Sequence, residues 1–146
     1  REYARERLRA AGADDRRVDL RAIATALGAG GITHVRLQQF QGGVRVYGGD
    51  VVVHSAGDKV AGMGGNVATS VTDDALRPTL AADAALAAAK GDYAAGLTGA
   101  LAFERETKEL VLLPRAGAPP RLVWLVTFYT KLQAGREPGL WNYFVD

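Results

Sequence analysis

The sequence predicts an α+β fold in which a helix followed by antiparallel strands occurs twice. Between Thr33 and His54, apolar and polar residues alternate on both sides of two glycines, which is typical of a half-buried β-hairpin. Residues 80–90 consist mainly of alanine and leucine and predict a helix that can lie close to a sheet. Alternation then returns in residues 102–145. We therefore expect two subdomains, 1–72 and 73–146, which share a plan but not a sequence.

The first 27 residues predict one helix and leave the next element open. In "REYARERLRAAG" the side chains of Tyr3, Leu8 and Ala11 can share one stripe, and Gly12 can cap the C-terminus. In "VDLRAIATALGAGG" the leucines, arginines and alanines favour a helix, whereas their alternation and the glycine-rich turn favour a strand. The residues alone do not decide between the two.

The hairpin itself is the clearest element of the chain. Val35 and Leu37 are expected on one face, and Arg36 and Gln38 on the other. Two glycines at 42–43 can adopt the positive φ angles of a tight turn, and two more at 48–49 predict a bulge in the second strand. A further turn is expected at residues 57–58, followed by another strand.

The second half begins where apolar residues become scarce, near Asp73. A helix is predicted from Leu80 to Lys90, with Thr79 as the N-cap candidate and Gly91 as its end. Strands at 102–104 and 110–113 are expected to flank "RETK" as a charged turn, and "RAGAPP" is expected to be a loop. Two strands follow, with Trp124 and Trp141 as core residues.

Composition excludes several classes of protein. The net charge of the 146 residues is only +2, and the seven arginines among the first 21 residues alternate with acidic ones, which indicates a solvated surface and no nucleic-acid partner. The sequence lacks cysteine, so disulfides and thiolate zinc sites are absent. No apolar run reaches the ~20 residues that span a membrane.

The sequence offers no recognisable catalytic, cofactor or metal site. His34 and His54 lack the ligand spacing of a zinc helix, and "GMGGN" lacks the lysine and serine of a phosphate loop. Ser55 and Ser70 lie in no nucleophile elbow. An enzyme would need a cluster assembled from distant residues, for example His34 and His54 with Asp50.

The hairpin resembles the fungalysin/thermolysin propeptide motif. In that motif an Arg-x-Gln-Gln strand and a short turn precede Val-x-Gly-Gly and an apolar strand. The matching residues here are Arg36, Gln38, Gln39, Val46, Gly48 and Gly49. The segments "PTLAADAALAAAK", "LVLLP", "RLVWLVTF" and "WNYFVD" resemble the PepSY module that follows this motif in secreted thermolysin-like metallopeptidase precursors.

These resemblances imply two tandem cystatin-like units, 1–72 of the propeptide-motif type and 73–146 of the PepSY type, each a sheet packed on a helix. They also imply that residues 19–27 form a strand paired with the hairpin. Two positions depart from the pattern: Ala81 replaces the usual serine or threonine before the PepSY helix, and Arg45 replaces an apolar residue or proline. The resemblance further implies that the segment reaching a protease cleft follows Asp146.

By that resemblance the chain is a secreted, non-catalytic propeptide that assists the folding of a thermolysin-like zinc metallopeptidase and temporarily inhibits it. Its expected partner is the catalytic domain of its own precursor, and no cofactor is implied. The residues expected to face that partner are Arg36, Gln38, Gln39, Tyr47, Gly48 and Gly49. The alternative is a free-standing PepSY-type binding or regulatory protein of the cell envelope.

Overall fold

The computed structural model describes residues 2–10, 18–68, 76–116, 118–131 and 137–146. It is a mixed α+β structure composed mostly of sheet, which confirms the predicted class. In chain order, the helices and strands are α1 (Glu2–Ala10), β1 (Val18–Leu27), a 3-10 turn (Ala29–Gly31), β2 (Ile32–Gln41), β3 (Val44–Ala56), β4 (Lys59–Gly65), α2 (Ala82–Ala94), β5 (Phe103–Arg115), β6 (Ala118–Thr130) and β7 (Gly139–Val145). No helix in the described ranges is both long and apolar enough to cross a membrane.

The chain separates into two compact units. The first comprises residues 1–76 and 112–121, and the second comprises residues 77–111 and 122–146. The tip of the β5–β6 segment therefore belongs to the first unit and the remainder of both strands to the second. The predicted boundary near Asp73 lies outside the described residues, and the assignment of 1–72 and 73–146 to two family modules stays a prediction.

In the first unit, β2 is antiparallel to both β1 and β3, and β4 pairs with β3. The predicted two-glycine turn is confirmed: Gln41 pairs with Val44, and Gly42 and Gly43 have φ angles of 55° and 83°. The element that the residues left open is strand β1. Its pairing with β2 prevails over the helix propensity of its alanines and leucines, because propensity is a weak preference that tertiary contacts override.

The core of the first unit lies between α1 and the sheet. It consists of Ala4, Val18, Leu20, Leu37, Val51 and Val53. Of the stripe that the sequence predicted for α1, Tyr3 is 37% exposed, whereas its neighbour Ala4 is fully buried. The small side chain at position 4 lets the helix backbone approach the strands. The Leu8 side chain, Ala11 and Gly12 lie outside the described parts of the chain.

In the second unit, α2 packs on strands β5, β6 and β7 around buried Ala85, Ala89, Tyr93, Val126 and Phe128. The helix continues through Gly91, so the prediction that this glycine ends it is wrong. The extra turn buries Tyr93, whose hydroxyl lies 3.1 Å from Thr130 Oγ1, and this packing outweighs the cost of about 1 kcal/mol for an internal glycine. Thr79 does not cap the helix: Ala81 is the N-cap and makes no side-chain capping bond.

Strand β5 also corrects a predicted turn and a predicted loop. The "RETK" residues lie inside a continuous strand, where Arg105 alone has a positive φ, 52°. The four residues are exposed on the strand, and two of them form ion pairs, Glu106 with Lys90 and Lys108 with Asp83. The "RAGAPP" segment is likewise largely strand, because β5 runs to Arg115 and β6 begins at Ala118.

Two exposed ion pairs of the second unit perturb the ionisation of their members. The pKa of Asp83 is lowered by a hydrogen bond and charge attraction from Lys108. The pKa of Lys131 is raised mainly by its hydrogen bond to Glu104 and also by the attraction of that carboxylate. Because these groups are open to solvent, both pairs are minor contributors to stability.

Candidate partner-docking surface

The six residues predicted to contact a partner lie around one irregularity in the β2–β3 ladder. Gln38 pairs with Asp50, but the next pair is Phe40 with Arg45, so β3 contains extra residues at this point. The predicted bulge at the second glycine pair is therefore confirmed. Such an insertion bends the strand and leaves backbone groups without ladder partners.

The Gln38 side chain provides those partners. Its Nε2 lies 3.1 Å from the carbonyl oxygen of Gln39 and 2.8 Å from those of both Val46 and Gly49. One amide nitrogen with two hydrogens thus serves three carbonyl oxygens across the bulge. The sequence predicted that Gln38 lies on the surface that faces a partner. In the structure Gln38 is only 8% exposed, so it is an interior residue.

Gln39 is likewise an interior residue. Its Nε2 donates to the Ala68 carbonyl at 2.7 Å, and its Oε1 accepts from the Ala68 N–H at 2.9 Å. The side chain thus bonds to both backbone groups of Ala68, as a neighbouring strand would, and it fixes the segment that follows β4. With 0% exposure, Gln39 cannot contact a partner directly, and neither it nor Gln38 forms part of an outer surface.

Glycine is required at the two positions of the bulge for different physical reasons. Gly48 is exposed and adopts a φ of 63°, in the left-handed region that glycine tolerates best. Gly49 is buried, and a Cβ there would lie 2.6 Å from Val46 Cγ1 and 3.2 Å from Gln39 Oε1. Gly49 therefore permits the close packing on which the Gln38 and Gln39 bonds depend.

Arg36 and Tyr47 are the two predicted site residues with exposed side chains. The Arg36 side chain is 56% exposed, and its Nε lies 2.8 Å from Asp50 Oδ2. Tyr47 is 40% exposed, and the guanidinium of Arg45 lies 5.8 Å from its ring centroid. Both therefore combine access to solvent with a charged neighbour.

Each of these side chains borders an open pocket of the first unit. The pocket at Arg36, of about 390 Å³, is lined by Arg36, Asp50, Val52, His54, Gly64, Gly65 and Asn66. The pocket at Tyr47, of about 450 Å³, is lined by Tyr47, Gly48, Asn66, Val67, Leu113, Pro114, Arg115 and Ala116. Asn66 borders both pockets, and its backbone N–H donates to the Asp50 carbonyl at 3.1 Å. We call Arg36, Tyr47, Gly48, Asp50 and Asn66 the hairpin surface.

The sequence did not reveal that His34 and His54 are in contact. They are paired across β2 and β3, with Nδ1 atoms 2.6 Å apart and ring planes at 81°. An unbroken register from the Gln41–Val44 pair would place Val51 opposite His34, whereas the residues inserted at the bulge bring His54 there. Asp50, which an assembled catalytic cluster would have required, is instead paired with Arg36.

The comparison with known families supports the interpretation of the hairpin. Residues 25–67 match the Fungalysin/Thermolysin Propeptide Motif, and no curated protein matches the sequence. The matched segment contains β2, β3 and β4, and with them the hairpin surface. The motif is that of the non-catalytic propeptides of metallopeptidase precursors. Within the described ranges, no three histidine, aspartate or glutamate side chains form a metal-ligating group.

Proposed function

We propose that this chain, which carries a fungalysin/thermolysin propeptide motif, assists the folding of a thermolysin-like zinc metallopeptidase and inhibits it until maturation. The observation that carries the proposal is the match of residues 25–67, which covers the whole hairpin and the strand that follows it. We further propose that residues 1–72 and 73–146 are two cystatin-like modules, the second of the PepSY type, within a secreted precursor whose catalytic domain is the partner.

The physical basis of this function is a rigid surface. Proteases that persist by kinetic stability are separated from their unfolded chains by high barriers. A protein that binds the nearly folded enzyme lowers such a barrier and stabilises the product by mass action. This task needs shape and fixed polar contacts, and no catalytic groups.

The interior of the first unit supplies that rigidity. The Gln38 amide binds both sides of the bulge, and Gln39 fixes Ala68 next to it. The hairpin surface is consequently presented on a backbone that is already ordered, so little conformational entropy is lost when a partner binds. In this proposal Arg36 and Tyr47 contact the enzyme, whereas Gln38, Gln39 and Gly49 hold them in place.

A refolding experiment tests the proposal. The catalytic domain of the precursor is denatured and diluted with or without this chain, and recovered peptidase activity is measured. Inhibition of mature enzyme by the chain is measured separately. We expect recovery to rise with the concentration of the chain. Absence of an effect in both assays would overturn the proposal and favour a binding protein without a protease partner.

Matched variants locate the contact. Tyr47→Ala is compared with Tyr3→Ala, because the two tyrosines are 40% and 37% exposed but only Tyr47 lies on the hairpin surface. Arg36→Ala is compared with Lys59→Ala, which removes an exposed cation elsewhere on the same sheet. We expect Tyr47→Ala and Arg36→Ala to reduce refolding assistance while circular dichroism stays unchanged. Equal effects from the control variants would contradict docking through the hairpin surface.

A further inference from the structure

We propose that His34 and His54 form a two-histidine binding site for a divalent transition-metal ion such as Zn²⁺ or Cu²⁺. This inference does not depend on the proposed function of the chain. It rests on the contact between the two rings, which no feature of the propeptide role requires.

The two imidazoles already converge on one point. Their Nδ1 atoms are 2.6 Å apart, so a single proton is shared, with one Nδ1 donating and the other accepting. Two nitrogens bound at the usual Zn–N distance in a tetrahedral site lie roughly 3.3 Å apart. The rings must therefore separate by less than about 1 Å to admit the ion.

The proton balance of this exchange is simple. Binding requires a lone pair on both Nδ1 atoms, so the shared proton leaves its Nδ1 and the Nε2 of the same ring takes one up from water. Both rings stay neutral, each with one N–H, and two metal–nitrogen bonds replace the hydrogen bond. The strand pairing of His34 with His54 does not change.

Glycines next to the pair leave room for it. A Cβ at Gly28 would lie 2.3 Å from His34 Nε2, so the ring occupies space that any other residue would take. Gly62 pairs with His54 in β4, and a Cβ added there would meet only His54 Cδ2, at 4.0 Å. A side chain at position 28 would therefore displace the His34 ring, whereas one at position 62 would only touch the His54 ring.

Charge and access also permit binding. Arg36 is the one Lys or Arg side chain among the residues that line the pocket bordered by His54, and its ion pair with Asp50 offsets its repulsion of a metal ion. The pocket is open, so water reaches the His54 ring. Because the described residues supply only two ligands, water completes the coordination, and the affinity is expected to be lower than in a closed four-ligand site.

Calorimetric titration of the tag-free chain with ZnCl₂ and CuCl₂ at neutral pH tests this site. These are the only two histidines in the sequence, so histidine coordination can have no other source. We expect one ion per chain and a loss of affinity of about tenfold or more in His34→Gln and in His54→Gln. Gly28→Ala should also weaken binding, because it displaces the His34 ring, whereas Gly91→Ala, in helix α2 and with open space around its Cβ, should not.

Nuclear magnetic resonance of the imidazole nitrogens keeps the test independent of whether the variants fold. We expect the Nδ1 signals of both histidines to shift together as the ion is added to the unchanged chain. No saturable binding, a shift of only one ring, or undiminished affinity in the doubly substituted chain would each overturn the site.

Discussion

The two units stabilise their interiors by different means. The first buries three glutamines beside its aliphatic residues: Gln38, Gln39 and Gln41 are all less than 9% exposed. The second buries rings. Phe128 lies between Phe103 and Tyr143, with centroids 5.1 Å and 5.6 Å away, and Tyr93 contacts the same cluster. A polar interior fixes directions through hydrogen bonds, whereas an aromatic interior gains most of its stability from buried area.

The difference between the polar and the aromatic interior corresponds to where the candidate docking residues lie. The bulge and the hairpin surface lie where the buried amides bind the backbone, whereas in the second unit two ring side chains, Tyr93 and Trp141, bond to the side chain of Thr130. A buried amide is costly when unpaired but strongly directional when paired. Burying amides therefore makes the first unit less stable than an apolar interior would, but it fixes the geometry of the hairpin surface.

The largest expected effect comes from the aromatic interior. Phe128→Ala removes a fully buried ring and leaves a cavity, so we expect a loss of about 3–5 kcal/mol in the free energy of unfolding. Chemical denaturation followed by tryptophan fluorescence measures it, since Trp124 and Trp141 pack against the same core. Leu140→Ala, on the exposed side of β7, is the control and should change little. A small effect of Phe128→Ala would show that ring burial does not dominate the second unit.

The polar interior predicts a contrast between two glutamines. Gln39→Leu leaves both the N–H and the carbonyl of Ala68 without partners, at an expected cost of roughly 2–4 kcal/mol. Among the described residues, buried Gln41 Oε1 has no hydrogen-bond partner, so Gln41→Leu should be neutral or stabilising, within about 1 kcal/mol. Thermal unfolding of both variants measures the difference. Equal losses would mean that glutamine volume, and not hydrogen bonding, supports this unit.

The bulge glycines give a smaller contrast. Gly49→Ala forces a methyl group against Val46 and the Gln39 amide, with an expected loss of about 1–3 kcal/mol. Gly48→Ala meets nothing within 4 Å and costs only the strain of its positive φ, about 1 kcal/mol. Amide hydrogen exchange at Ala68 should quicken in the first variant and not in the second. The reverse order would contradict the packing role assigned to Gly49.

The same contrast explains which features the sequence could predict. Alternation correctly placed Trp124 and Trp141 with the second core, because ring burial follows the two-residue period of a strand. It failed at Gln38 and Gln39, since a polar residue predicts a surface position unless its hydrogen-bond partners are known. Val46 and Gly49 come close to Gln38 at the bulge, and Ala68, which follows β4, comes close to Gln39. The sequence raised His34 and His54 only as part of a hypothetical catalytic cluster with Asp50, and it could not establish their contact, because the register depends on the number of inserted residues.

The smallest expected effect tests whether surface charges stabilise the second unit in addition to its aromatic core. Asp83 is 89% exposed, and Lys108 lowers its pKa through a hydrogen bond and charge attraction. A lowered carboxyl pKa contributes stability above the unfolded value, near 4, and loses it as the pH falls through the folded value. Lys108→Met should therefore raise the pKa of Asp83 towards its usual range, which carboxyl NMR titration measures. Stability at neutral pH should barely change, because solvent screens the pair. A large loss at pH 7 that disappears in acid would show that this ion pair, and not ring burial alone, holds α2 on its sheet.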